Sequence, residues 1–288
     1  MSETNPTVVV LTALPLEYAA VRAHLTDREE DVHPEDGTRV ETGRVDGTPW
    51  RVALAELGEG VDKAAAMTAR LIGWRRPQAV LFVGVAGSLK DGIGIGDVVV
   101  GTKVYGIHGG KWTPEGFRAR PEAWRASNAL VQAARSAVRD MADVRPHFKP
   151  IASGDVVLAD SGSLVARHLR EHYDDAAAIE MEGSGAAHAA HLSGQLDTLV
   201  IRGISDLADA EKSTADAGGS QERAAAQAAK VAMAVLRKHR PRDGSSGSRE
   251  GSRHGSGTGT GDTYGGDHID LRGGTFHGTV IGKQVGRP

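Results

Sequence analysis

The 288-residue chain contains no cysteine. Disulfides and thiolate chemistry are thereby excluded, and the chain suits a reducing compartment. It also has no long block of lysine and arginine. Its 34 basic and 37 acidic residues are interspersed, for a formal charge of -3, which argues against a nucleic-acid partner. A long apolar run is missing as well. The start, Met1-Ser2-Glu3, has no basic region before Val8-Val9-Val10-Leu11, and that run is too short to span a bilayer. It reads as the first strand of a soluble, cytoplasmic protein with no membrane partner. No His/Cys/Asp cluster has metal-ligand spacing, so neither a metal nor an organic cofactor is expected, and His188 and His191 are placed on a helix face.

What is present is unevenly distributed. Residues 1–239 hold nearly all the apolar runs, enough for one sizeable α/β domain. Residues 240–266 form a Gly/Ser-rich, flexible linker. Residues 267–288 follow as a short β-prone segment, with apolar Ile269, Leu271, Phe276, Val280 and Ile281 spaced by polar residues and glycines.

Inside the large domain, apolar runs alternate with helical patterns. Strands are expected at Val8–Ala13, Trp50–Leu57, Ala79–Val85, Val98–Val104, Pro150–Ser153, Ala176–Glu182 and Thr198–Ile204. Helices are expected from Leu16, Val61, Pro121, Ser163, Ser184 and Gln221. The alternation predicts an α/β three-layer αβα sandwich with a mixed, largely parallel central sheet, plus the flexible C-terminal tail. In such sheets ligands gather at the carboxyl ends of strands. Glu182, Asp206 and the loop Gly84-Val85-Ala86-Gly87 all fall at such ends.

Glu180 and Glu182 stand in an apolar run, Ala178-Ile179-Glu180-Met181-Glu182-Gly183. Unpaired buried acids are costly, so a polar partner must meet them, and a hydroxyl-rich substrate fits. Spacing by two puts both on one face of a strand. A second island, Ile201-Arg202-Gly203-Ile204-Ser205-Asp206, also ends on an acid. Read from residues alone, Asp206 is equally a turn cap and Glu17 a first-turn helix acid. Glu180 has an ion pair with Arg202 as its alternative.

Five motifs occur in one order: Ala13-Leu14-Pro15-Leu16-Glu17, Val83-Gly84-Val85-Ala86-Gly87 with Ile95-Gly96-Asp97, Ser153-Gly154-Asp155, Ile179-Glu180-Met181-Glu182-Gly183 and Ile204-Ser205-Asp206. Between Thr7 and His239 the chain thus resembles the nucleoside phosphorylase/nucleosidase superfamily, specifically its methylthioadenosine/S-adenosylhomocysteine nucleosidase branch. The resemblance implies a phosphorylase/hydrolase-like fold, commonly assembled as a homodimer or larger homo-oligomer. It implies hydrolysis of the N-glycosidic bond of an adenine nucleoside or nucleotide, releasing adenine. Asp206 would protonate the purine N7, Glu17 would orient the attacking water, and Glu182 would accept hydrogen bonds from the ribose hydroxyls. Met181 would pack on the sugar, with Ser205 and Glu180 beside it, and Val156, Val157 and Leu158 would flank the base, a role that core packing also explains. Val85, Ala86 and Gly87 would approach the ligand through backbone. Phosphorylases of the superfamily typically have a hydroxyl residue where this chain has Val85, so water is favoured over phosphate as nucleophile.

One segment departs from that pattern. Tyr105–Arg120 holds His108, Lys111, Arg118 and Arg120 where the 5′ end of a nucleoside should lie. A solvated loop accounts for these bases. So does a 5′-phosphate, which would make AMP or ATP the substrate, with Lys111 and Arg120 as its contacts. Residues 267–288 resemble the amyloid-like signalling motifs of bacterial effectors paired with NLR-type sensors, and imply such a sensor as partner in antiviral defence. Two other readings stand: a phosphate-dependent purine nucleoside phosphorylase, and a non-catalytic nucleotide-binding adaptor recruited through the C-terminal motif.

Overall fold

A computed structural model describes residues 6–114, 116–156, 158, 162–194, 196–208 and 219–242. The expected linker beyond residue 242, the β-prone segment 267–288 and Val157 lie outside the described residues.

The architecture is a mixed sheet between two layers of helices. Strand β1 (Thr7–Thr12) is followed by helix α1 (Pro15–Arg22), β2 (Thr26–Val32), β3 (Arg39–Arg44) and β4 (Arg51–Glu56). Then come α2 (Val61–Arg75), β5 (Ala79–Ser88), β6 (Val98–Gly106), the hairpin β7 (Gly110–Thr113) and β8 (Gly116–Ala119), and β9 (Glu122–Arg125). The chain continues through α3 (Asn128–Val138), β10 (Pro146–Ser153), α4 (Leu164–His172), β11 (Ala178–Glu180), α5 (Gly183–Leu192), β12 (Asp197–Asp206) and α6 (Ser220–Lys238). The strand order is β11-β10-β6-β12-β5-β1-β4-β3-β2, with β9 added on β6.

Pairing is parallel along β4-β1-β5-β12 and β6-β10-β11, and antiparallel between β12 and β6 and through β4-β3-β2. Strand β11 pairs with β10 on one side and with the end of β5 on the other. That second pairing curls the sheet back on itself. It sets Ile179 opposite Gly87, which brings the Glu180 region beside the end of β5.

Alternation along β1 shows why a continuous apolar run is needed here. Val8 and Val10 enter the core under α1, α3 and α6, while Val9 and Leu11 enter the core under α2 and α5. Each fully buried aliphatic side chain of this kind contributes about 1.5–3 kcal/mol. Helices α2 and α5 meet closely enough that a Cβ on Gly185 would lie 2.1 Å from the Val61 carbonyl oxygen. Only glycine allows that approach, and the approach places the start of α2 beside the start of α5.

Two sequence expectations are corrected, and one pair of strands is new. The helix expected over Pro121–Met141 begins only at Asn128, because Glu122–Arg125 pairs with β6, and Trp124 there stacks on His188 of α5 at 5.0 Å. The strand expected over Ala176–Glu182 ends at Glu180, whose carboxylate accepts the amides of Glu182 and Gly183 and turns the chain into α5. Strands β2 and β3 were not foreseen. Strand β2 reads TDREEDV, mostly exposed, and is held by backbone pairing with β3 and by ion pairs such as Arg51–Glu29 and Arg75–Asp31.

Candidate active site

Four acids converge where the carboxyl ends of β5, β11 and β12 meet the turn after β1. The cleft between them has a volume of about 170 Å³. Glu17, Val85, Ala86, Gly87, Leu158, Glu180, Met181, Glu182, Ser205 and Asp206, expected from the sequence, all line it.

Glu17 reaches the cleft from the first turn of α1, where Pro15 fixes the helix entry. Its side chain is 2% exposed. One carboxylate oxygen accepts the amides of Ala13 and Leu14 at 2.8 and 3.0 Å, and the other accepts the Val85 amide at 2.8 Å. Burial raises its pKa above the usual carboxylate range, against the opposing pull of Arg202 and the three amides.

Arg202 organises the centre. It is fully buried on β12, with its guanidinium 4.1 Å above the Phe82 ring. Its Nη2 donates to Glu180 and lies 3.9 Å from Glu182. Its Nε and Nη1 have no protein acceptor among the described residues. A Cβ on Gly84 would come within 2.0 Å of Nη1 and 2.4 Å of Glu17 Oε1, so glycine is required where these two charges approach each other.

Glu180 is engaged by protein. Besides Arg202 it accepts the Glu182 amide at 3.2 Å and the Gly183 amide at 2.8 Å. Glu182 is less engaged. Its Oε1 accepts the Gly60 amide at 3.2 Å, and it is 6% exposed at the head of α5. Burial, then repulsion from Glu180, pushes its pKa up to about 7, although Arg202 and the Gly60 amide act in the other direction. Its neighbour Met181 is half-buried on the cleft wall.

Asp206, at the end of β12, also lines the cleft and is 1% exposed. Its Oδ2 accepts the Ser205 hydroxyl at 3.0 Å, and its Oδ1 accepts the Ala208 amide at 2.9 Å. Ala208 holds a left-handed φ of 51° to make that bond. The loop at Val85 offers an anion little, since its amide is already taken by Glu17.

Neither of the two bases expected at the 5′ end lines this cleft. Lys111 is exposed on β7. Arg120 borders an adjoining cavity with Val61, His108 and Ser184. Sequence reasoning missed Glu59 and Gln221, which line the cleft, and the Gly60 amide. A loop amide leaves no compositional trace, but Arg202 had the same signal as the acids: a charge inside an apolar strand.

Comparison with known proteins agrees with this fold. The model of the phosphorylase superfamily matches residues 7–237. The chain belongs to that superfamily. A 5′-methylthioadenosine/S-adenosylhomocysteine nucleosidase from an Exiguobacterium species is 32% identical over 193 residues, covering 65% of this chain and 81% of the relative. Its counterpart from Chromohalobacter salexigens is 28% identical over 213 residues, covering 71% and 86%. Among solved structures, the Neisseria meningitidis nucleosidase in complex with methylthio-immucillin-A superposes with a TM-score of 0.70 at 26% identity, over 80% of this chain and 98% of that one.

Proposed function

We propose that this chain hydrolyses the N-glycosidic bond of an adenine nucleoside, as a purine nucleosidase of the methylthioadenosine/S-adenosylhomocysteine type. The observation that carries the reading is the placement of a buried carboxyl, Asp206, in one small cleft with a second carboxyl pair, Glu17 and Glu182. Cleavage creates an oxocarbenium-like sugar and needs three things: a neutral leaving base, a placed nucleophile and a grip on the ribose. Asp206 protonates the purine N7 as the bond breaks, and the Ser205 hydroxyl and Ala208 amide hold its orientation. Glu17 is fixed by three amides and takes a proton from the attacking water. Glu182, with an oxygen not fully engaged by protein, accepts the ribose hydroxyls. Arg202 keeps the acids close without neutralising all of them.

Water is favoured over phosphate as nucleophile for an electrostatic reason. Glu17 and Glu182 occupy the side from which the nucleophile comes, the Val85 amide is used, and Val85 has no hydroxyl to offer an anion. The relatives named as nucleosidases support the same reaction. Adenine release should fall by roughly 10²–10⁴-fold in Asp206→Asn. Release at the parental rate would remove Asp206 from the mechanism.

A second reading keeps the reaction and changes the substrate to an abundant nucleotide, AMP or ATP, consumed by a defence effector that meets an NLR-type sensor through residues 267–288. It is favoured by His108 and Arg120, which border a cavity near the cleft. Comparing adenine release from methylthioadenosine, S-adenosylhomocysteine, AMP and ATP separates the two.

A further inference from the structure

One motif of the sequence, Ser153-Gly154-Asp155, takes no part in the proposed chemistry. It begins on the last residue of β10, Ser153, which lies opposite Glu180 of β11. Its first two residues hold the backbone around Glu182. Ser153 is fully buried, and its hydroxyl oxygen accepts the Ser184 amide at 2.8 Å and donates to the Ser184 hydroxyl at 3.0 Å. The Gly154 amide donates to the Glu180 carbonyl at 3.1 Å. The chain is thus fixed on both sides of Glu182. A glutamate on a fixed backbone still rotates about its own side-chain bonds, so its carboxylate needs a second restraint.

Asp155 provides that restraint through an intermediary. The Gly60 amide holds Glu182 Oε1 at 3.2 Å, while Arg202 lies farther from the carboxylate, at 3.9 Å. Gly60 belongs to a loop with two glycines of positive φ, Gly58 at 75° and Gly60 at 111°. Glycine gives such a loop wide backbone freedom unless something tethers it. As the N-cap of α2, Gly60 has no side chain with which to bond the first amides of the helix. Asp155, 94 residues farther along the chain, does so instead, its Oδ1 accepting the Val61 amide at 2.8 Å. An acid at this end also suits the helix dipole. The loop is therefore tied down one residue beyond the amide that meets Glu182. Asp155 is held in turn, since its own amide donates to His108 Nε2 at 2.9 Å.

We infer that Asp155 is a positioning residue for the ribose grip: by capping α2 it fixes the Gly60 amide, and through that amide it orients the Glu182 carboxylate. The inference rests on the nucleosidase reading, in which Glu182 accepts the ribose hydroxyls, and extends it to a residue outside the cleft lining. A cap that served stability alone would leave recognition of those hydroxyls unchanged. A cap that aims Glu182 makes their recognition depend on position 155.

The test measures kcat/KM for adenine release from methylthioadenosine and from its 2′-deoxy analogue in the parent, Asp155→Ala and Asp155→Asn. Asp155 is exposed, so neither change disturbs the core, and asparagine keeps an oxygen that accepts the Val61 amide. The ratio between the two substrates reports the 2′-hydroxyl contact and cancels any loss of folded protein. That ratio should fall roughly threefold or more in Asp155→Ala, the loss of one hydrogen bond's worth of orientation, and largely recover in Asp155→Asn. A ratio unchanged in Asp155→Ala overturns the inference, whatever happens to the absolute rates. If the parent releases adenine from neither substrate, the nucleosidase reading fails, and amide hydrogen exchange decides the clamp alone. Faster exchange at Gly60 and Val61 in Asp155→Ala, restored in Asp155→Asn, supports it, and exchange equal to the parent's ends it.

Discussion

Arg202 is the residue on which the site turns. Three carboxylates surround one guanidinium, and the buried side chains can approach only because position 84 has no Cβ. In Gly84→Ala the new methyl would separate Arg202 from Glu17. Leaving a buried charge without its partner costs about 3–5 kcal/mol. The variant should lose adenine release and unfold at lower urea, and full activity with parental stability would contradict this placement. Glu182 gives a second residue-scale prediction. The folded state holds its proton more tightly than the unfolded chain does, since folding raises the pKa to about 7. Stability from this group is therefore lost as pH rises from the ordinary carboxylate range to about 7. Glu182→Gln removes that slope, so relative to the parent it should gain stability of order 3 kcal/mol at about pH 8. Urea unfolding at about pH 5 and about pH 8 checks the difference. The parent's kcat/KM should decline below about pH 7 as Glu182 takes up its proton and loses its grip on the ribose.

The acids were legible in the sequence because Glu180, Glu182 and Asp206 interrupt apolar runs, and a charge in such a run demands an explanation. Glu17 was less so. A first-turn acid on a helix is ordinary, and only the ordered motifs singled it out. Two features had no residue-level signal: the Gly60 amide on Glu182 and the second cavity behind Ser184. Both arise from the packing of α2 on α5.

At the scale of elements, apolar strands could be read and polar ones could not. Strand β5 is buried through nearly its whole length and shows as one continuous run. Strand β2 has no apolar face, so neither period nor propensity marks it. Its charges suit an edge strand, where they discourage pairing with other chains. Exposed pairs such as Arg39–Glu30 contribute little, and Glu30→Gln should shift stability by less than about 1 kcal/mol. The end of α6 is held far more firmly. Trp50, 1% exposed before β4, stacks on His239 at 5.4 Å and donates its indole N–H to the His239 carbonyl at 3.0 Å. Trp50→Ala should cost about 3–5 kcal/mol by urea unfolding. Trp50→Phe, which keeps the packing and leaves the carbonyl unpaired, should cost about 1–3 kcal/mol. Equal losses in the two variants would show that the hydrogen bond contributes nothing.

Across the whole molecule, the sheet gathers residues that are distant in sequence. Glu17 follows the first described strand and Asp206 ends the last described one, with Glu182 at the head of a helix between them. Parallel neighbours β1, β5 and β12 point their carboxyl ends the same way, and the pairing of β11 with β5 carries Glu180 and Glu182 to that end. The phosphorylase superfamily contains this fold, yet this cleft is lined by acids, Glu17, Glu59, Glu180, Glu182 and Asp206. Hydrolysis is the central claim, and the fate of the sugar tests it most directly. With inorganic phosphate present, cleavage of an adenine nucleoside should yield adenine and free sugar, at a rate that does not depend on phosphate. A sugar 1-phosphate formed only when phosphate is supplied would contradict the account.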